Sequence, residues 1–115
     1  MNRTALLALS LTLTAAAAGA QTTAAPAPER TAQLVRMVRQ DCGSCHGMQL
    51  TGGLGPALTR EALVAKPPEY LAAVITHGIP GTPMPPWSAL LTPGEAQWIA
   101  QQLANGFPEE RKQSR

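Results

Sequence analysis

Residues 41–47 read Asp-Cys-Gly-Ser-Cys-His-Gly and hold the only two cysteines of a 115-residue chain. Two thiols three positions apart, with an imidazole directly after the second, allow four chemistries. They could close a disulfide, form half of a zinc site, act as a dithiol redox pair, or anchor a covalently attached haem. A structural zinc site needs four ligands, usually two such pairs, and no second pair exists. A thioredoxin-like dithiol sits beside a βαβ pattern, which is absent. A Cys42–Cys45 disulfide would close a loop too short to constrain much, and would leave His46 unexplained. Cys-x-x-Cys-His has its own logic as a c-type haem attachment. Cys42 and Cys45 would add to the two vinyl groups, and His46 would follow as the proximal iron ligand.

The sixth iron position then decides the chemistry. A sulfur ligand closes the iron and suits electron transfer, whereas an open position suits oxygen or peroxide chemistry. Met37 precedes the motif, and Met48 lies too close to His46 to reach the opposite face. Met84 follows His46 by 38 residues in Gly-Thr-Pro-Met-Pro-Pro-Trp, where prolines stiffen the backbone. His77, just before the same loop, is the rival ligand; it also fits an exposed histidine at a helix C-terminus. Pro56 in Gly-Gly-Leu-Gly-Pro can offer its carbonyl to the other nitrogen of His46, or can be an ordinary turn proline.

The elements that must position these residues are helical. Leu34, Val35, Val38 and Cys42 share one face of a helix predicted to start at Thr31 and to deliver Cys42 at its C-terminal end. Thr59 caps a short helix over 60–64, and Glu69 to Thr76 forms a further helix that stops at Gly78. Residues 78–86, with four prolines and two glycines, exclude regular structure. Thr92, Pro93 and Glu95 form a capping-box signature for a last helix, with Ala96, Ile99, Ala100 and Leu103 as its apolar stripe. Gly106 and Pro108 end it. Trp87 and Trp98 read as haem or helix packing. No strand alternation and no repeat is visible, so the fold class is all-α.

Arg3, an uncharged Ala/Leu-rich stretch and a small-residue Ala-Gly-Ala at 18–20 read as a signal peptide over 1–20, cleaved after Ala20. Export would place the chain in the periplasm, where such haem attachment occurs. The expected organisation is a flexible lead-in over 21–30, a haem domain over 31–107 and a charged tail over 108–115. Without Arg3, eight basic residues face seven acidic ones. That balance argues against nucleic-acid binding, and no second apolar run is long enough for a membrane span. The chain has four aromatic residues, Tyr70, Trp87, Trp98 and Phe107. A small domain with so thin a core needs a bound group as a staple.

Cys-Gly-Ser-Cys-His-Gly, Gly-Gly-Leu-Gly-Pro, Gly-Thr-Pro-Met-Pro-Pro-Trp and the capped C-terminal helix together resemble a class I cytochrome c, from Thr31 to Phe107. The resemblance implies three to five helices wrapped around one covalent haem c, with the helix from Thr31 against that from Pro93. It carries the axial-ligand roles to His46 and Met84, and the loop-proline role to Pro56. Within that family the chain is most similar to the small NirC-type cytochromes of denitrifying bacteria, on Thr-His-Gly-Ile-Pro-Gly-Thr-Pro-Met-Pro-Pro-Trp. Ile79 departs from many relatives, where a basic residue stands, so no docking charge is implied at that position. The implied function is one-electron transfer rather than enzymatic catalysis. The implied partners are a cytochrome cd-type nitrite reductase and an upstream donor such as a quinol–cytochrome c reductase. A role in assembling that reductase, or donation to another reductase or oxidase, is the alternative.

Overall fold

The computed structural model describes residues 24–110. The leader expected over 1–20 lies outside the described residues, as do the last five of the chain. Helix α1 spans Pro28–Met37 and runs on through a π-helical turn, Val38–Cys42, into α2, Gly43–His46. Gly47, at φ 87°, ends this segment. Then follow α3 (Arg60–Leu63), α4 (Pro68–His77) and α5 (Pro93–Asn105). Among the described residues there is no strand.

Two features of α1 differ from the sequence reading. The helix starts at Pro28, inside the expected 21–30 lead-in, because proline at the first helical position gives up no hydrogen bond. Thr31 N–H closes that first turn on Ala27 O at 2.8 Å. Cys42 also does not terminate the helix, since the π-helical turn carries the chain onward to His46. A π turn inserts an extra residue into the helical register and is frequent at functional sites.

The core gathers Leu34, Val35 and Val38 with Leu50, Leu63, Leu71, Leu91, Trp98, Ile99, Ala100 and Leu103. Helices α4 and α5 make the most extensive helix pairing. Helix α1 is tied to α5 by Arg30, whose Nε donates to Glu95 Oε1 at 2.6 Å. Thr92 and Glu95 complete the capping box in both directions: Thr92 Oγ1 accepts from Glu95 N–H, and Glu95 Oε2 accepts from Thr92 N–H. These bonds, the Arg30 contact foremost, hold the Glu95 carboxyl down to about 2. Trp98 is buried and meets the Phe107 ring edge-on, centroids 6.5 Å apart.

The first residues of the charged tail expected over 108–115 are docked against the domain. Arg39, in the π-helical turn, is only 8% exposed. Its guanidinium donates to Phe107 O at 2.8 Å, to Pro108 O at 3.0 Å and to Glu109 Oε1 at 3.0 Å, and lies 5.7 Å from the Phe107 ring centre. A buried cation is tolerated when its donors are satisfied in this way.

Candidate functional site

Cys42 and Cys45 are both half-buried, and neither is in a disulfide. Burial, aided by the neighbouring Asp41, pushes the Cys42 thiol up to about 11. It is therefore protonated at neutral pH, the opposite of the thiolate a dithiol redox centre needs. Among the described residues no group of three or more His, Cys, Asp and Glu side chains could hold a metal ion. The zinc reading has no second half.

The glycine-rich loop after His46 is strapped to the motif through the main chain. Gly52 N–H donates to His46 O and Gly55 N–H to Cys45 O, both at 2.8 Å. Leu50 takes φ 59°, unusual for a bulky residue, and its side chain is buried in the core. The strap brings Pro56 O to 2.7 Å from His46 Nδ1. A carbonyl only accepts, so Nδ1 carries the proton and Nε2 keeps its lone pair for a metal. Gly55 makes that approach possible, because a Cβ there would lie 2.7 Å from His46 Cε1 and 2.8 Å from Nδ1. Sequence reasoning placed Gly55 directly before Pro56 but gave it no role in the approach of the carbonyl to His46.

Met84 sits on the second loop, half-buried, between exposed prolines. Its carbonyl accepts from Ile79 N–H at 3.1 Å, and Trp87 N–H closes the loop onto α4 at Ile75 O, 3.0 Å. Gly78, at φ 66°, lets the two sides touch: a Cβ there would stand 2.7 Å from Met84 O. His77, the rival ligand, is an exposed residue at the end of α4. The structure thus gathers Cys42, Cys45, His46 and Pro56 into one main-chain unit and presents Met84 from a separately locked loop.

This donor set fits haem c. Two uncommitted thiols lie on one helical segment, an imidazole is fixed in the metal-binding tautomer, and a thioether is carried on a braced loop. The profile of the family described as "Cytochrome C oxidase, cbb3-type, subunit III" matches residues 29–102. The chain belongs to this family of monohaem c-type cytochromes. The cytochrome is 56% identical over 86 residues to cytochrome c55X of Stutzerimonas stutzeri, covering 75% of this chain and 76% of that one. A solved structure of the c-type cytochrome NirC superposes with a TM-score of 0.68 at 55% identity, covering 70% of this chain and 94% of NirC. A solved structure of the dihydro-haem d1 dehydrogenase NirN matches at TM-score 0.58 and 34% identity, over 69% of this chain and 17% of that larger one. The cytochrome carries a single haem c motif, Cys42, Cys45 and His46 with Met84, and as a small monohaem cytochrome c it is an electron carrier rather than an enzyme. Among the described residues, no helix is long and apolar enough to cross a membrane.

Proposed function

We propose that this cytochrome is a periplasmic one-electron donor to a cytochrome cd-type nitrite reductase in denitrification. The observation that carries the choice of pathway is its likeness to NirC over nearly the whole of that chain. When bound, the haem supplies a ferric/ferrous couple of one electron. Cys42 and Cys45 would hold it by thioethers on the α1–α2 segment. His46 would hold the iron through Nε2, with Nδ1 donating to Pro56 O and the ring kept in place by that bond. Met84 would help hold the iron through its sulfur, a donor that suits electron transfer rather than substrate chemistry. His77, exposed at the end of α4, is the competitor that Met84 must exclude.

The electron would reach the cytochrome from an upstream donor such as a quinol–cytochrome c reductase, after export and removal of residues 1–20. Contacts with redox partners are small and short-lived. The second reading is a maturation factor for the same reductase, favoured by the likeness to a domain-sized part of NirN.

The test is stopped-flow mixing of the reduced cytochrome with oxidised nitrite reductase. Fast reoxidation, with nitrite turnover sustained by this protein as sole donor, supports the donor role. Failure to transfer, with a deletion strain whose reductase lacks its non-covalent haem, supports the maturation reading. Failure to transfer with an intact reductase points to another terminal acceptor.

A further inference from the structure

We infer that Thr82 is a positioning residue for Met84, setting how firmly the loop presents the thioether. The inference rests on the reading of Met84 as sixth ligand. The argument begins with what the loop lacks. Residues 83, 85 and 86 are prolines and carry no amide hydrogen. Between Thr82 and Trp87 the sole main-chain donor is therefore the N–H of Met84.

That N–H donates to Thr82 Oγ1 at 3.3 Å. The same hydroxyl donates onward to Ile79 O at 2.7 Å, and Thr82 N–H reaches that carbonyl at 3.1 Å. Ile79 N–H returns to Met84 O at 3.1 Å. The bonds close a ring in which both polar groups of the Met84 backbone are held, one of them by a side chain. A hydroxyl can donate and accept at once, which is what the position requires. Proline would give the neighbouring residues stiffness but no bond to Met84.

A methionine side chain has three rotatable bonds and adapts to many positions. The firmness of its sulfur therefore depends on how seldom the backbone lets go. Thr82→Val keeps the shape and deletes the hydroxyl, so Met84 N–H must turn to water. Losing one ordinary hydrogen bond shifts such a local opening by about tenfold. Thr82→Ser keeps the hydroxyl and restores the ring.

The experiment uses oxidised holoprotein of the wild type, Thr82→Val, Thr82→Ser and Met84→Ala. Cyanide association reads the rate at which the sixth ligand leaves, amide exchange at Met84 reads loop opening, and the near-infrared sulfur-to-iron band reports ligation. Thr82→Val is expected to raise the cyanide rate and the Met84 exchange rate by about tenfold each, with Thr82→Ser within about twofold of wild type. A Thr82→Val protein with a lower melting temperature but wild-type cyanide and exchange rates overturns the inference, since Thr82 is then structural only. Met84→Ala separates this from the ligand reading. If that variant keeps the near-infrared band, the ligand reading falls and takes the inference with it. If it loses the band while Thr82→Val keeps wild-type rates, only the role of Thr82 falls.

Discussion

Replacing Gly55 with alanine tests the imidazole's setting most directly. The new Cβ would stand 2.7 Å from His46 Cε1, 2.8 Å from Nδ1 and 3.2 Å from Nε2, so it meets the ring along its length. Ordinary van der Waals contact starts at 3.4 Å, and the closest approach is about 0.7 Å inside it. The φ of Gly55 is not in the left-handed region, so the effect is steric and not a backbone penalty. A ring displacement of that size would stretch the 2.7 Å bond to Pro56 O beyond hydrogen-bonding range. Overpacking of this kind costs ~1–3 kcal/mol, and the lost bond adds ~1 kcal/mol. The carbonyl makes His46 a more electron-rich ligand, which favours ferric iron, so its loss should raise the reduction potential. If about 1 kcal/mol of the bond differs between the oxidation states, the shift is about 40 mV for one electron, on the scale of 59 mV per tenfold. Spectroelectrochemical titration reads the potential, and denaturant melts of the same samples read the stability. A Gly55→Ala protein within about 10 mV of wild type and equally stable would refute the reasoning.

Met84→Ala should abolish the near-infrared sulfur-to-iron band and lower the potential; His77→Ala should do neither. Mass spectrometry of the protein from its native host should find one haem retained in acidified acetone, on a chain starting near Gln21. Cys45→Ser should leave attachment through Cys42 alone. Glu95→Gln keeps a capping-box side chain but loses the charge opposite Arg30, and should cost about 1 kcal/mol at pH 7, because the pair is partly solvent-screened. The Glu95 carboxyl is held at about 2 against an ordinary 4.5. Its contribution is therefore present above pH 4.5 and lost as pH falls towards 2, so the two melting curves should converge in acid.

The haem motif, the capping box of α5 and the Met84 loop were legible because each is a local signature: a fixed spacing, a cap three residues before its partner, a run of prolines. Thr59 was readable as a cap for the same reason, and it accepts from Ala62 N–H at 3.3 Å. What was not legible depends on contacts distant in sequence. Arg39 lies outside the apolar face of Leu34, Val35, Val38 and Cys42, yet it is buried because its hydrogen-bond partners come from residues 107–109. The start of α1 at Pro28 was obscured by the surrounding Ala/Pro composition, and Arg30 is tied there by Glu95, 65 residues away. The π-helical turn has no composition of its own. Gly55 was visible as a loop glycine before Pro56 and Gly78 as a helix stop, but their close approaches to His46 and Met84 required coordinates.

The clamp on Arg39 has a consequence for timing. Its bonds join positions 68 to 70 residues apart, nearly the full span of the domain. A chain made from its N-terminus presents Cys42, Cys45 and His46 long before residues 107–109 arrive to secure the turn that carries them. Closing so long a loop is entropically costly and comes late in folding. Until then the π-helical turn has only its own helical bonds, and the two thiols are at their most accessible. The order of the sequence thus gives attachment chemistry an interval before the fold shuts over it.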